Sequence, residues 1–177
     1  MKRAVVTLLA ALASSSAVAN ADSPASGKVV PVFSIAKSEN KNQVQYVVRL
    51  DDNCAPMGQA PVSAYWRMLE IGPAETAPIL SREVAAYGLA SQAVVASDAS
   101  GGAVRAVLEA LPERPLTIVT SRGGDGKCRA LATASLAGTP AHLFNVYVHL
   151  KWDGVDYLLL QGWSMDGSHI VRETLKK

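Results

Sequence analysis

A strict alternation of apolar and polar residues, repeated in several segments, is the feature that most restricts the folds open to this sequence. A period of two sends successive side chains to opposite faces of an extended chain, so each such segment predicts a β-strand with one buried face. The segment 43–51 shows the pattern cleanly. Its two faces carry Val44, Tyr46, Val48 and Leu50 on one side, and Gln43, Gln45, Arg49 and Asp51 on the other.

The clearest hairpin in the sequence lies near its end. Apolar residues occupy the even positions from Phe144 to Trp152 and alternate with more polar residues at the odd positions. Asp153-Gly154 then supplies a turn dipeptide, and the segment 155–163 returns as a second strand. Further strands are predicted for residues 29–36, 63–69, 89–96, 104–111, 116–120, 128–136 and 168–175.

One segment has the pattern of a helix. Apolar residues fall at helical spacing between Ile79 and Tyr87, and Gly88 stands where a C-terminal cap belongs, so a short helix is predicted over 78–87. About nine or ten strands, one short helix and no strand–helix alternation predict an all-β, mainly antiparallel fold. Such a sheet protects its edges by closing into a barrel or folding over as a sandwich, and we slightly favour the barrel.

The first 21 residues have the three parts of a secretory signal peptide. Met1-Lys2-Arg3 is a short positive start, residues 4–12 are apolar, and Ala19-Asn20-Ala21 places small residues where signal peptidase reads them. The apolar run is shorter than the roughly 20 residues that a membrane-spanning helix needs. The sequence therefore predicts a signal peptide (1–21), a flexible lead-in (22–27) and a single periplasmic or secreted β-rich domain (28–177) without a transmembrane anchor.

Charge gives no indication of a polyanionic partner. The chain has 17 Lys and Arg residues, and removal of Lys2 and Arg3 with the signal peptide leaves 15, equal to the 15 Asp and Glu residues, none of which lies in 1–21. Nucleic acids and anionic lipid surfaces are bound through clustered positive charge. Because the sequence contains no block of Lys and Arg, we expect no nucleic-acid partner.

The chain has two cysteines, Cys54 and Cys128, and both lie in the part expected to be exported. An oxidising compartment favours joining an even pair, so we predict one disulfide. The alternatives are two buried free thiols or a redox pair, which normally has Cys-x-x-Cys spacing. The three histidines do not have the spacing of a zinc motif, and we expect neither a metal nor a cofactor.

Catalytic motifs are incomplete. Ser164 lies in a Gly-Trp-Ser-Met-Asp-Gly segment, which misses the Gly-x-Ser-x-Gly nucleophile elbow because Asp166 takes the second glycine position. The elbow also joins a strand to a helix, whereas here one strand leads into another. Nothing in the sequence pairs Glu70 with Glu83 as catalytic carboxylates. The sequence therefore does not support an enzyme, and a periplasmic hydrolase using Ser164 with a histidine and an acid stays an alternative.

Three motifs, in order, resemble a known bacterial family. Residues 33–46 read Phe-Ser-Ile-Ala-Lys-Ser-Glu-Asn-Lys-Asn-Gln-Val-Gln-Tyr, residues 61–66 read Pro-Val-Ser-Ala-Tyr-Trp, and residues 86–88 read Ala-Tyr-Gly. They are similar to the pattern of domain of unknown function 4833, which runs Phe-x-Ile-x-x-Ser-x-Asn-x-Asn-x-Val-x-Tyr, then Pro-x-x-x-Tyr-Trp, then Ala-Tyr-Gly. Residues 155–173, from Val-Asp-Tyr through Arg-Glu, resemble its closing segment. The resemblance implies an envelope or secreted domain and brings no assigned activity.

The shared positions supply the candidate ligand-binding residues. Their functional interpretation is a polar and aromatic rim at the mouth of the fold, made by Lys37, Asn40, Asn42, Tyr65, Trp66 and Tyr87. Their structural interpretation places the two asparagines in shaping the hairpin loop and Tyr65 and Trp66 in the core. We expect a non-catalytic domain that binds a small molecule or an envelope protein, with a purely structural extracellular domain as a further alternative.

Overall fold

The computed structural model describes residues 27–176, which form eleven β-strands and one short helical segment. The strands are β1 (Lys28–Lys37), β2 (Gln43–Leu50), β3 (Val62–Arg67), β4 (Thr76–Pro78), β5 (Leu89–Asp98), β6 (Gly101–Leu108), β7 (Leu111–Arg122), β8 (Cys128–Leu136), β9 (Thr139–Lys151), β10 (Gly154–Ser164) and β11 (Ile170–Lys176). A 3₁₀ turn (Ser81–Glu83) leads into the helix α1 (Val84–Tyr87). The predicted all-β class with one short helix is confirmed.

The expectations for the N-terminus fall on residues that are not described. The predicted signal peptide (1–21) lies outside the described range, as does the predicted lead-in (22–27) apart from Gly27. Among residues 27–176, no helix is long and apolar enough to cross a membrane.

All strands belong to one sheet that forks at β9. Along the chain of neighbours the order is β4-β3-β2-β1-β9-β8-β7-β6-β5, and β10 and β11 lie on the other edge of β9. One edge of β9 therefore has two neighbours: residues 139–143 pair with β8, and residues 145–148 pair with β1. The β1–β9 pairing is parallel, and the other described pairings are antiparallel. We call β1–β4 the first branch and β5–β8 the second branch.

A β-bulge at Phe144 lies at the fork. Opposite it, Gln161 pairs with Asn145 and the next residue, Gly162, pairs with Leu143, so Phe144 is the extra residue on β9. A bulge bends its strand and shifts which residues point inward. On β9 the buried residues accordingly change from the odd positions 141 and 143 to the even positions 146 and 148.

The hydrophobic core combines side chains from the two branches in one cluster. The first branch contributes Tyr46 and Leu50, and the second contributes Val104, Ile118 and Leu136, all of them fully buried. Because each inner strand has its apolar residues on a single face, the branches bury these faces against each other, as in a sandwich.

The sheet does not close into a barrel, contrary to our slight preference. At the point where β3 and β5 come together, the side chain of Gln92 replaces backbone pairing: its Oε1 accepts from the Val62 N–H at 2.8 Å, and its Nε2 donates to the Val62 carbonyl at 3.0 Å. One amide side chain can satisfy the edge of β3 at one residue only, so the seam stays open on either side of it.

The predicted disulfide is confirmed. Cys54, in the loop after β2, is bonded to Cys128 at the start of β8, with 5.3 Å between their Cα atoms. The bond ties the first branch to the second, and the Thr120 hydroxyl reinforces it by donating to the Cys54 carbonyl at 2.8 Å. The bonded residues are 74 positions apart, a loop length for which the chain-entropy model gives roughly 4 kcal/mol of stabilisation.

Two sequence-based expectations need correction. The helix predicted over 78–87 is only one turn of 3₁₀ and one of α, because Thr76–Pro78 pairs with β3 as a strand that the sequence did not indicate. Trp152 was expected on the inner face of β9 but is 97% exposed. Since β9 ends at Lys151, Trp152 lies in the turn and not in the strand.

We predict that Gly162→Ala destabilises the fold by about 1–3 kcal/mol, the usual cost of an overpacked core position. A Cβ at this position would lie 2.9 Å from the His142 carbonyl oxygen opposite the bulge. Urea unfolding measures the change. Gly124→Ala is the matched control, because a Cβ there meets no atom within 4 Å. Equal unfolding midpoints for the two variants would show that the close approach of the His142 carbonyl does not exclude a Cβ at position 162.

Candidate functional site

A pocket of about 260 Å³ opens at the end of the first branch, where the β1–β2 loop meets β3, β4 and the 3₁₀ turn. We call it the Trp66 pocket. Its polar lining consists of Lys37, Asn40, Asn42 and Glu83, and its apolar lining consists of Trp66, Met68, Ala77, Pro78 and Leu80. Four of the six residues predicted from sequence therefore line one cavity.

The two asparagines are held by backbone groups that fix which way their amides face. Asn40 Oδ1 accepts from the Asn42 N–H at 3.0 Å, and Asn42 Oδ1 accepts from the Glu70 N–H at 3.2 Å. Because backbone N–H groups can only donate, the Oδ1 atoms must be the acceptors and the Nδ2 atoms the free ends. Neither Nδ2 donates to any residue in the range 27–176.

Asn42 is unusual because it is nearly buried. The residue is only 8% exposed. In the described part of the chain, His149 Nδ1 is the one side-chain N or O atom that is fully enclosed and has no hydrogen bond. Asn42 Nδ2, which also has no hydrogen bond, therefore keeps some contact with solvent. Asn42 also lines the Trp66 pocket.

Trp66 is fixed by a carboxylate. Its indole Nε1–H donates to Glu83 Oε2 at 3.0 Å, and the Leu80 N–H donates to the same oxygen at 2.9 Å. The hydrogen bond from Leu80, followed by that from Trp66, lowers the pKa of Glu83, and the charges of Arg82 and Lys37 act in the same direction. Glu83 therefore stays ionised at mildly acidic pH.

Lys37 brings a positive charge over the face of the indole. Its Nζ lies 5.5 Å from the centre of the Trp66 ring, within cation–π range. The same Nζ is 3.2 Å from Glu39 Oε2, and this carboxylate is largely exposed. An exposed ion pair of this kind contributes little to stability, so Lys37 is free to exchange Glu39 for another anion.

The two tyrosines of the predicted set do not line the pocket. Tyr87 supports it from behind, because its ring meets Trp66 edge-on at 5.1 Å and its carbonyl accepts from the Tyr46 hydroxyl at 2.6 Å. Burial raises the pKa of both tyrosine hydroxyls. Tyr65 precedes Trp66 on β3 and so points to the opposite face of the sheet.

Glu83 is the site residue that the sequence did not identify. It was considered only as a partner for Glu70, whose backbone N–H, and not its carboxylate, reaches the site. The available signal was the position of Glu83 three residues after Leu80, since an acidic side chain there can fold back onto the start of a helical turn.

Ser164 does not have the environment of a nucleophile. Its Oγ donates to Asp166 Oδ1 at 2.6 Å and accepts from the backbone N–H of His169 at 3.2 Å. The imidazole of His169 contacts the Ser168 hydroxyl instead, at 3.0 Å. Hydrogen bonds, the largest from Ser164, lower the pKa of Asp166. These contacts close the β10–β11 turn, and no imidazole of the described chain contacts Ser164 Oγ.

Within the same range of residues, no group of three or more His, Cys, Asp or Glu side chains is arranged to hold a metal ion. The residues that line the Trp66 pocket offer hydrogen bonding, charge and apolar contact.

The comparisons with known proteins agree with the sequence motifs. A family model described as "Domain of unknown function (DUF4833)" matches residues 33–174, which confirms the resemblance over most of the chain. No curated protein and no solved structure matches the chain.

We predict that Glu83→Gln makes the stability of the protein less sensitive to acid. Since the folded-state pKa of Glu83 is lowered, the unfolded chain takes up the proton first as the pH falls. The stability contributed by ionised Glu83 is thus present above its ordinary pKa and lost below it. Urea midpoints at pH 7 and pH 3.5 should differ less in Glu83→Gln than in the wild type.

The control for this prediction is Glu75→Gln. Glu75 is exposed and its carboxylate makes no hydrogen bond or ion pair with residues 27–176, so this variant should lose as much stability in acid as the wild type. If Glu83→Gln loses just as much, the hydrogen bonds to Glu83 do not couple folding to pH.

Proposed function

The chain belongs to the DUF4833 family, and from that premise we propose that it is an exported, non-catalytic binding domain that holds a small organic carboxylate at the Trp66 pocket. The description of the family names no activity, so the proposal rests on the site. The observation that carries it is the nearly buried Asn42, which lines the pocket and whose Nδ2 has no acceptor among the described residues.

The Asn42 Nδ2 keeps some contact with solvent, so water can accept its hydrogen bond, and a ligand that enters the pocket must replace that water with an acceptor of its own. If Asn42 served only to shape the β1–β2 loop, its Oδ1 would suffice, because that oxygen is the atom that receives the Glu70 N–H. Its Nδ2 is then surplus to the loop. A ligand acceptor in the pocket gives this donor a partner.

The balance of donors and acceptors indicates the chemistry of the ligand. Lys37 Nζ and the Nδ2 atoms of Asn40 and Asn42 are three donors on the polar rim. The acceptor on that rim is Glu83, and its Oε2 already receives two hydrogen bonds. A carboxylate, which accepts hydrogen bonds and carries negative charge, suits this excess of donors.

The size of the pocket limits how much of the ligand it can hold. Its volume of about 260 Å³ is just below the range of about 300–1,000 Å³ usual for ligand sites. We therefore expect it to hold a carboxylate group and a short apolar part, with the latter against Trp66, Pro78 and Leu80. The hydrolase alternative has no comparable support, because Ser164 hydrogen-bonds within its own turn.

The carboxylate proposal predicts a loss of binding in Asn42→Asp. This substitution keeps an oxygen for the Glu70 N–H but replaces the Nδ2 donor by a negative oxygen. The probes are phenylacetate and indole-3-acetate, each paired with its neutral amide. Calorimetry measures binding to the wild type and the variant, and chemical shifts of the Asn42 side-chain amide locate the bound probe in the wild type. Hydrogen bonds to charged groups are worth about 1.5–3 kcal/mol, so affinity should fall at least about tenfold.

Two further variants make the result specific. Lys37→Met should weaken binding of the carboxylate probes and leave binding of the amide probes unchanged. The substitution removes the charge and keeps a side chain of similar length. Asn53→Asp is the control, since it makes the same change in an exposed turn away from the pocket. Equal binding of acids and amides to the wild type, or equal binding of the acids to Asn42→Asp and Asn53→Asp, would refute the proposal.

Export is the second part of the proposal. The disulfide supports it, since such bonds persist in oxidising compartments, and so does the signal-peptide pattern of residues 1–21. We predict that the protein recovered from a bacterial producer's envelope or medium begins at Asp22, after cleavage behind Ala21. Intact mass spectrometry measures this directly, and a chain that retains residues 1–21 in the cytoplasm would refute it.

A further inference from the structure

We infer that the fold contains a second, apolar binding site, which takes the aliphatic chain of an amphipathic small molecule. The site is a cavity of about 570 Å³ that is separate from the Trp66 pocket in its lining residues. It does not depend on the proposed function, because the polar residues of the Trp66 pocket, Lys37, Asn40, Asn42 and Glu83, do not contribute to it.

The cavity lies where the two branches diverge from β9. Its deep part is made of buried residues from both sides of the fork, among them Val146 and Val148 of β9, Leu158 of β10 and Leu108 of β6. The short helix α1 lies at its mouth, where Ala86 is exposed to solvent. Every residue that lines the cavity is apolar or, in the case of Tyr87, aromatic.

A void of this size is not ordinary core packing. Protein interiors are packed as densely as organic crystals and contain few holes larger than a water molecule. The cavity volume of about 570 Å³ lies within the range of about 300–1,000 Å³ usual for ligand sites. Water in such a space needs polar partners, and the Tyr87 hydroxyl is the one polar side-chain group among the residues that line this cavity.

The absence of charged and amide side chains from the lining determines which ligands the cavity can bind. The side chains around the cavity carry no charge and no amide, so a charged or strongly polar ligand would lose its hydration without compensation. An aliphatic chain has no polar groups to dehydrate, and each CH₂ group that leaves water contributes favourable binding free energy. The polar end of the ligand stays in solvent at the mouth, beside the small side chain of Ala86.

The geometry of the fork explains why the cavity exists. Because β1 and β8 share one edge of β9, the two branches separate at the level of Phe144. The inward-facing residues of β9 after Phe144 therefore face a widening gap. At the mouth, α1 presents alanines to this gap. Larger residues at positions 85 and 86 would close the opening, and the sequence has the smallest side chains that a helix accepts well.

The experiment titrates the full exported chain with a series of straight-chain alcohols from hexanol to dodecanol, each below its solubility limit. Binding is measured by displacement of the neutral reporter N-phenyl-1-naphthylamine. Each added CH₂ should tighten binding about fourfold until the chain fills the cavity, after which the affinity stops rising. Asn42→Asp should bind the alcohols like the wild type, which separates this site from the Trp66 pocket.

Two variants fill the cavity and one serves as control. Val148→Phe occupies its interior, and Ala86→Phe covers its mouth from an exposed position where folding is not at risk. Both should weaken binding of the alcohols at least tenfold. Ala93→Phe adds the same bulk at an exposed position on β5 outside the cavity, and it should bind like the wild type.

The outcomes are decisive in either direction. The site is supported if affinity rises with alcohol length to a plateau, and if this binding is lost in Ala86→Phe and kept in Ala93→Phe. That result stands even if Val148→Phe does not fold. Failure of every alcohol to displace the reporter, or equal binding to Ala86→Phe and Ala93→Phe, overturns it. Adsorption of the protein to phosphatidylcholine vesicles without binding of free alcohols likewise overturns it. The protein would then recognise aliphatic groups only as part of a membrane surface.

Discussion

The architecture depends on one strand having two neighbours on the same edge. The β1 and β8 strands share β9 end to end, and the bulge at Phe144 marks the change from one to the other. A continuous sheet would carry all strands in one layer, whereas a shared edge sends the strands beyond it into two layers. The sandwich, its core between the branches and the apolar cavity beside α1 all follow from this arrangement.

Layers that diverge from a common strand need to be held together at their far side. The Cys54–Cys128 bond does this at one end by joining the β2 loop to β8, and the Gln92 amide does it at the β3–β5 seam. The Tyr46 hydroxyl adds a third tie by donating to the Tyr87 carbonyl. The last contact also positions the helical segment whose Tyr87 packs against Trp66, so the same ties that stabilise the sandwich place the wall of the candidate site.

The sequence predicted the strands well because their evidence is local. The alternation in β2 and the Asp153-Gly154 turn are each contained in a few residues, and the cysteine pair needed only the oxidising context. The bulge was not predictable, since Phe144 looks like one more apolar residue of β9. Short β4 has no alternation to detect, and the parallel pairing of β1 with β9 depends on a register between distant segments. The site followed the same rule: the loop asparagines and Trp66 were found through their motifs, whereas Glu83 reaches Trp66 only through the fold.

The β1–β9 pairing also has a consequence for how the chain acquires its structure. Ser34 and Asn145 lie side by side although 111 positions separate them, and such distant partners make folding slow. As the chain folds, β1, β2 and β3 can form their local hairpins first, but the edge of β1 that pairs with β9 stays open until these two distant segments meet. Until they meet, an unpaired strand edge is available to other chains, so pairing between molecules competes with folding at β1.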